Sequence, residues 1–404
     1  MVINCLSSAR VVRILSRCTA GRTVLFSPER NTQLDVSADS RPASNPGPQD
    51  FRTFESNPVN HTTEHAARFY VVPPEVRLKV FQYGGLPKIF EKQLKTFGEP
   101  SIMVRNPALE VLHYLRTAAY SKPAVRYVLY GKDGCGKSVS LAHILNYGSV
   151  SGFLLVHVPW ARNWMRYPKE VATSSSNKGC VDLPLDAATW LVHFKSQNVA
   201  LLNALDLRVS KSYTWTKREE TPVGAPLVDL IEFGINRVKY ACDVVLALLQ
   251  EIKLHSTEGR CKTLVVIDGF NAFFNPDIRM KTEDKVKVKP SMVTLAQGFL
   301  EITKNDWCNG AVVLSIDRQV GPADKKESEL PFYNLGKQGF EHLDPFIPIR
   351  VVEYNEKEIE SCLQYYIERR WLQHESGRTE AGRKELEFLS GRNPLRLMTL
   401  CSPL

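Results

Sequence analysis

The chain lacks long apolar runs and closely spaced cysteine pairs. Its 404 residues are 43% hydrophobic, yet no run of about eighteen apolar residues occurs, so the sequence predicts no membrane span. The nine cysteines are scattered and none has C-x-x-C spacing. This argues against a zinc site or a disulfide framework and favours a reducing compartment. No internal repeat or heptad series is present, which excludes solenoid and coiled-coil architectures.

Acidic residues are absent from the start of the chain, and the first is Glu29. Placed on a helix, Arg10, Arg13 and Arg17 share one face, opposite a face of valines and leucine. An amphipathic, arginine-rich, acid-free start is typical of a mitochondrial transit peptide. The sequence therefore predicts such a peptide over residues 1–28, with a disordered basic tail as the alternative.

One stretch fills every fixed position of a phosphate-binding loop. Val125–Tyr130 is rich in β-branched and aromatic residues and predicts a buried strand, and a helical spacing of apolar residues begins at Val139. Between them, residues 131–138 (GKDGCGKS) match G-x-x-x-x-G-K-[ST], and this strand–loop–helix context favours a nucleotide loop over a chance glycine-rich turn. The predicted nucleotide-binding residues are Gly131, Lys132, Asp133, Gly134, Cys135, Gly136, Lys137, Ser138 and Val139.

A second apolar strand supplies the predicted metal side of the site. Lys137 is expected to reach the β- and γ-phosphates, and the Ser138 hydroxyl to ligate Mg²⁺. Thr263–Ile267 ends in Asp268, as a Walker B strand does. Because ligands bind at the carboxyl ends of parallel strands, Asp268 is predicted to hold the Mg²⁺ shell beside Ser138. A strand-ending Asp-Gly turn is the alternative.

The position after Asp268 lacks the glutamate that vigorous ATPases of the additional-strand type commonly use to polarise water. Gly269 stands there. Asn271 could orient a water, but an amide is a poor proton acceptor. The sequence therefore predicts tight nucleotide binding with slow or absent hydrolysis, and leaves open whether the chain is an enzyme. Candidate sensors of the γ-phosphate, each with an ordinary structural alternative, are Asn271, Ser315, Asn393 and Arg396.

Strands alternating with helices predict an α/β fold of the P-loop NTPase type. We expect an AAA+-like parallel sheet flanked by helices, followed by a helical C-terminal lid. The predicted divisions after the transit peptide are an extended or disordered arm (29–66), a helical N-terminal extension (67–120), the core (121–354) and the lid (355–404). Within the core, the pattern predicts one long helix over Pro226–Ile252 and a basic loop over 271–290.

Five segments carry a family resemblance: YVLYGKDGCGKSVSL, LVVIDGFNAFF, KNDWCNGAVVLS, GFEHLDPFIPIRV and ESCLQYYIERRWLQHE. From about Phe69 onward the chain resembles the death-associated protein family of mitochondrial small-subunit GTP-binding ribosomal proteins. The resemblance implies a bound guanine nucleotide, GTP or GDP, with Mg²⁺. It also implies a place in the small subunit of the matrix ribosome, partners among rRNA and ribosomal proteins, no homo-oligomer, and links to apoptosis. The loop motif by itself does not select the base.

The leading interpretation is a ribosomal structural protein that keeps its nucleotide and supports mitochondrial translation. The basic loop 271–290 and the N-terminal arm are the predicted contacts with rRNA or proteins, with a solvated insert as the alternative for the loop. A net charge of +9 is compatible with an anionic partner but does not establish one. Two other hypotheses stay open: an active NTPase switch whose lid moves with turnover, and a free apoptotic adaptor.

Overall fold

The computed structural model describes residues 51–275, 278–282, 285–321 and 328–402. The transit peptide predicted over 1–28 lies outside the described residues, as does the arm up to residue 50. The transit peptide stays a prediction.

Five parallel strands form the central sheet. They are β1 (Val125–Tyr130), β2 (Leu154–Val158), β3 (Thr263–Ile267), β4 (Gly310–Ser315) and β5 (Ile347–Arg350). Their order across the sheet is β5–β1–β4–β3–β2. Because β4 lies between β1 and β3, the strand before the phosphate loop and the strand before Asp268 are separated by an additional strand. This order confirms the predicted AAA+-like α/β class.

Helices cover both faces of the sheet and continue beyond it. They are α1 (Pro74–Phe81), α2 (Lys88–Phe97), α3 (Asn106–Thr117), α4 (Lys137–Val150), α5 (Ala161–Arg166), α6 (Pro184–Leu205), α7 (Leu227–Asn236), α8 (Ala241–Thr257), α9 (Thr294–Ile302), α10 (Pro331–Leu343, interrupted at Gly336), α11 (Glu356–Glu368), α12 (Glu380–Ser390) and α13 (Pro394–Cys401). No helix of the described residues combines the length and the apolar character needed to cross a bilayer.

Alternate residues of β1 to β4 enter different apolar layers. In β1, Val128 belongs to the layer formed with α5 to α10, while Tyr127 and Leu129 belong to the layer formed with α1, α3 and α4. Strands buried on both faces are continuous apolar runs in sequence, as β3 is; β5 is an edge strand in which only Ile349 is buried. The carboxyl ends of these strands meet at one edge, where the phosphate loop lies.

The predicted long helix over Pro226–Ile252 is wrong. The structure has two helices, α7 and α8, because Arg237 leaves the helical conformation at φ −112° and ψ 69°. The break lets both helices pack on α6. Gly234 permits the closest approach, since a Cβ there would lie 2.5 Å from Leu191 of α6 and 2.7 Å from Val244 of α8.

The arm predicted over 29–66 is ordered in its described part. Phe51 and His61 are buried, and Arg116 of α3 donates to the carbonyl oxygens of Pro58, Val59 and His61 at 2.9–3.2 Å. The N-terminal extension also contains a small antiparallel pair, Phe69–Val71 with Ser101–Met103. Composition alone indicated disorder here, because the buried side chains of this segment are few and far apart.

The lid does not pack as an isolated unit. Its helices α11 and α13 share an apolar cluster with the extension, and in this cluster Phe69 stacks on Tyr365 with ring centroids 4.2 Å apart. Arg52 bridges Glu368 of the lid and Glu99 of the extension, each at 2.9 Å. The residues before the sheet therefore hold the lid against the core.

A buried histidine pair makes the fold sensitive to acid. Nδ1 of His61 lies 2.8 Å from Nε2 of His143 in α4. Complete burial, together with the smaller effects of the neighbouring His61 and Arg116, lowers the pKa of His143 to about 3. A histidine with a depressed folded pKa stabilises the fold above its ordinary pKa of 6.5 and loses that contribution as the pH falls.

We expect the His143→Gln variant to show a weaker loss of stability in acid than the wild type. Because the folded His143 has a depressed pKa, it lowers the free energy of unfolding of the wild type as the pH falls below about 6.5. Urea unfolding of both proteins at several pH values between about 7.5 and 5 measures this difference. Titrating groups that do not contact His143 act in both proteins and cancel in the comparison. Equal pH dependence of the two proteins would contradict the prediction.

Candidate nucleotide-binding site

The phosphate loop connects β1 to α4 as the sequence predicts. Gly136 is the N-cap of α4, and the helix begins at Lys137. Gly131, Gly134 and Gly136 all have positive φ, which lets the backbone turn sharply around an anion. The helix N-terminus behind the loop adds a partial positive charge. This part of the chain has the geometry of a phosphate-binding nest.

Lys137 lies over the loop. Its Nζ donates to the carbonyl oxygens of Gly131 at 2.9 Å and Lys132 at 3.0 Å, and the residue is buried. Lys132 itself is exposed and pairs with Glu353 at 2.5 Å. The two lysines of the loop therefore face different environments, and only Lys137 is placed where the phosphates of a nucleotide would sit.

Asp268 and Ser138 come together at the carboxyl edge of the sheet. Burial raises the pKa of the Asp268 carboxyl to about 6, against the opposing effect of hydrogen bonds from the hydroxyls of Ser138 and Ser315. Ser315 Oγ donates to Asp268 and accepts the backbone N–H of Gly269 at 2.9 Å. Ser315 thus orients the carboxylate, in agreement with the buried-hydroxyl alternative.

These donors fit Mg²⁺. Hydroxyl and carboxylate oxygens are its preferred ligands, and Mg²⁺ usually completes its shell with waters and substrate phosphates rather than with a protein cage. Among the described residues, no three His, Cys, Asp or Glu side chains are arranged to hold a metal on their own. Ser138 and Asp268 would therefore hold the ion together with a nucleotide's phosphates.

Two of the candidate sensors are placed elsewhere. The side-chain amide of Asn271 forms two hydrogen bonds with the backbone of Asp317. Its Nδ2 donates to the Asp317 carbonyl at 2.8 Å, and its Oδ1 accepts the Asp317 N–H at 3.1 Å. Arg396 is exposed on α13. The structure therefore brings neither side chain onto the phosphate loop, and their sensing roles stay predictions.

Asn393 forms the helix cap that is its structural alternative and also contacts the phosphate loop, while its role as a sensor stays a prediction. As the N-cap of α13, its Oδ1 accepts the N–H groups of Leu395 at 3.1 Å and Arg396 at 3.2 Å. Its Nδ2 also donates to the carbonyl of Asp133 at 2.8 Å. A Cβ on Gly134 would lie 2.7 Å from Asn393 Oδ1 and 2.7 Å from Leu395 Cβ. The lid therefore lies in direct contact with the phosphate loop, and glycine at 134 permits that contact.

Sequence reasoning missed a buried arginine beneath the loop. Arg105, from the extension, donates to the Cys135 carbonyl at 2.6 Å. It also forms a two-pronged ion pair with Glu358 of the lid at 2.9 and 3.1 Å. The capping box Asn355-x-x-Glu358 was visible in sequence, but a partner 253 positions away was not.

Asp317 is a second residue that sequence reasoning missed. It follows β4 and faces Asp133 of the loop. Burial, followed by the nearby negative charge of Asp317, raises the pKa of Asp133 to about 6, while Lys137 acts in the opposite direction. Asp317 also accepts the N–H of Gln319 at 2.9 Å as a turn cap. The loop is thus bordered by carboxylates as well as by Lys137, and a bound cation would relieve their repulsion.

A sequence model of one family, described as mitochondrial ribosomal death-associated protein 3, matches residues 102–400. The chain belongs to this family. The match covers the phosphate loop, Asp268 and Asn393, and it confirms the family predicted from the five segments.

Two mammalian relatives agree with this assignment to the death-associated protein 3 family. Small ribosomal subunit protein mS29 of Bos taurus is 43% identical over 351 residues, which are 87% of each chain. The mS29 protein of Mus musculus is 42% identical over 353 residues, which are 87% of this chain and 89% of the relative.

One of the solved structures that match this chain is only remotely similar to it. An ORC2 protein of Aeropyrum pernix is 16% identical, with a TM-score of 0.30, over 73% of this chain and 65% of its own. At that score the likeness carries no argument. The fold class rests on the order of the strands in the sheet.

Proposed function

We propose that this chain is a structural component of the mitochondrial small ribosomal subunit and keeps a guanine nucleotide with Mg²⁺ in its phosphate loop. The family and the two mS29 relatives support the ribosomal role. The observation that carries nucleotide retention is the contact of Asn393 with the loop, because it joins the binding site to a lid that is itself packed on the extension. A ligand that binds only the folded state stabilises that state.

Sedimentation tests the ribosomal role. Mitochondria from cells that express the tagged full chain are lysed and separated on a sucrose gradient. We expect the chain in the small-subunit fractions and its loss from them when the subunit is dissociated. Recovery only at the top of the gradient, as free protein, would overturn the ribosomal role.

Little or no hydrolysis is part of the proposal. The backbone after Asp268 offers no general base: Gly269 has no side chain, Phe270 is buried, and the Asn271 amide is bound to the backbone. An active switch also needs a lid that moves, whereas this lid shares an apolar cluster with the extension. Retention therefore accounts for the site better than turnover does.

Single-turnover hydrolysis of γ-labelled GTP by the purified full chain tests this point. The expected rate is far below the roughly 10 per second of a typical enzyme. Turnover at several per second would contradict the proposal. In that event the Asp317→Asn variant would show whether this carboxylate is the base, because it faces Asp133 of the phosphate loop.

We further propose that a basic hairpin contacts rRNA. The described residues 278–282 and 285–289 pair through Thr282 N–H to the Val286 carbonyl at 2.9 Å and Val288 N–H to the Met280 carbonyl at 3.2 Å. Three apolar side chains of this pair are buried in the core, whereas five cationic side chains and Val286 are exposed. The buried set is Ile278, Met280 and Val288, and the exposed cationic set is Arg279, Lys281, Lys285, Lys287 and Lys289.

This pattern of buried and exposed residues differs from the irregular loop predicted over 271–290. The structure also has a 3₁₀ turn, Phe270–Phe274, at the start of this segment. A solvated insert would not bury a row of apolar side chains in the core. No carboxylate of the described residues forms an ion pair with these cations. Several cations along one edge of the described residues suit contact with a phosphate backbone and favour RNA over an uncharged protein surface.

Replacing Lys281 and Lys287 by Gln should weaken binding to small-subunit rRNA and lower the slope of log affinity against log salt by about 2. The matched control replaces Lys92 and Lys95, two exposed lysines of α2, and should leave the slope unchanged. Filter binding across a salt series measures both. Equal slopes for the two double variants would contradict the RNA contact. Normal RNA binding with lost incorporation would point to a protein partner instead.

A further inference from the structure

The carbonyl oxygens of the phosphate loop are all held by donors. Lys137 takes those of Gly131 and Lys132. The next three are held from outside the loop: Asp133 by Asn393 Nδ2 at 2.8 Å, Gly134 by the Leu395 N–H at 3.2 Å, and Cys135 by Arg105 Nη1 at 2.6 Å. The lid supplies two of these donors and the N-terminal extension supplies the third.

The planarity of the peptide bond links the orientation of each carbonyl to that of the next residue's N–H group. A trans peptide is planar, and its C=O and N–H point in opposite directions. When an outside donor fixes the carbonyl of Cys135, it therefore also fixes the N–H of Gly136, which belongs to the same plane. The carbonyl of Asp133 fixes the N–H of Gly134 in the same way, whereas the Cys135 N–H donates inside the loop to the Lys132 carbonyl at 3.5 Å. The N–H groups of Gly134 and Gly136 are of the kind that a phosphate nest presents to an anion.

We propose that Arg105 and Asn393 are positioning residues that hold the loop in its phosphate-binding form. Docking of the lid on the extension then sets how slowly the nucleotide leaves. The inference rests on the proposed function, in that the loop must bind a nucleotide. It goes beyond that function because it names the groups outside the motif that keep the nest formed.

Arg105 is itself held rigidly. Besides Glu358 and Cys135, its Nη2 donates to the Val352 carbonyl at 3.0 Å, and its guanidinium lies 4.8 Å from the Tyr354 ring centroid. The Arg105 and Glu358 side chains are only 6% and 5% exposed. Since the carboxylate belongs to the lid and the arginine to the extension, an undocked lid would release both the ion pair and the orientation of the Cys135–Gly136 peptide.

The first test compares Arg105 with an arginine of the same burial at the opposite end of the sheet. Arg126, 3% exposed against 5% for Arg105, also donates to two backbone carbonyls, those of His342 and Pro345. The variants of the full chain are Arg105→Met, Arg105→Lys and Arg126→Met. The measurement is the release rate of fluorescent GDP in Mg²⁺ buffer, with thermal unfolding of each variant recorded in parallel.

The positioning role predicts that Arg105→Met releases GDP faster than its loss of thermal stability accounts for. Loss of one hydrogen bond to a charged phosphate corresponds to about 10- to 100-fold weaker binding, so Arg105→Met should release GDP faster by that factor. Arg105→Lys keeps a donor and should recover part of the loss. Arg126→Met, which breaks only hydrogen bonds to neutral carbonyls, should also lower the melting temperature, by less than Arg105→Met does, and should change release by less than about threefold. GMP should be affected less than GDP, because its single phosphate meets fewer N–H groups.

A second pair of variants keeps the proposal testable if the Arg105 variants do not fold. Asn393→Ala removes a helix cap together with the donor to Asp133. Thr379→Ala removes the cap of α12, in which the Thr379 Oγ1 accepts the Gly382 N–H, and a hydrogen bond to the Ser376 carbonyl, but no contact with the loop. Both lose about 1 kcal/mol of cap energy. Only Asn393→Ala should release GDP faster, by roughly 10-fold.

The results separate this inference from the proposed function. If the wild type binds GDP and neither Arg105→Met nor Asn393→Ala changes its release, the positioning role is overturned and nucleotide binding stands. If the wild type binds no GDP or GTP at all, the positioning role and the proposed nucleotide binding are both overturned.

Discussion

Lys137→Ala is expected to lower the affinity for GDP and GTP at least about 100-fold. The ammonium would interact with two phosphates, and each hydrogen bond to a charged group contributes about 1.5–3 kcal/mol. In the structure the same Nζ holds the carbonyls of Gly131 and Lys132, so the variant also loosens the start of the loop. Equilibrium titration of the full chain with fluorescent nucleotide measures the loss.

The control for this prediction lies in the same loop. Lys132 is exposed and pairs with Glu353, so Lys132→Ala should change nucleotide affinity by no more than a few fold. A Lys137→Ala protein that binds nucleotide as well as Lys132→Ala would show that the loop does not hold phosphates. If Lys137→Ala loses nucleotide yet still enters the small subunit, nucleotide is not needed for assembly.

Glu358→Ala is expected to cost about 3–5 kcal/mol of the free energy of unfolding. Removing this carboxylate leaves the Arg105 guanidinium buried without its counter-charge, and a lone buried charge is far more costly than the intact pair. The variant also loses the capping-box contact with the Asn355 N–H, 3.0 Å in length. Urea unfolding of the full chain in the absence of nucleotide measures the change.

Two further variants define the origin of that loss. Glu360, on the same helix, pairs with Arg383 but is 45% exposed, so Glu360→Ala should cost under about 1 kcal/mol. The double variant Arg105→Met with Glu358→Leu should recover only part of the loss, because the carbonyls of Cys135 and Val352 stay without their donor. A Glu358→Ala protein as stable as Glu360→Ala would contradict the buried pair.

Elements with strong local patterns were predictable from sequence. Thr263–Ile267 has the predicted bounds, because an unbroken apolar run determines it locally. The phosphate loop was predictable because its residue types at fixed spacing have one backbone solution. Asp268 followed from the rule that parallel strands meet at one edge.

Features that depend on distant partners were not predictable. Nothing near Arg105 indicates that it contacts Cys135 and Glu358, since both partners are far along the chain. The break at Arg237 lies in a continuous apolar pattern and follows from packing of α7 and α8 on α6. In the described arm, the burial of His61 depends on His143. In each case tertiary packing, rather than local pattern, decides the structure.

The central claim is that this chain keeps a guanine nucleotide, and the ligand of the purified full chain tests it most directly. The protein is isolated without added nucleotide and denatured, and the released small molecules are identified and counted by mass spectrometry. The account predicts about one GTP or GDP per chain. Release of no nucleotide, or of adenine nucleotide alone, would contradict it.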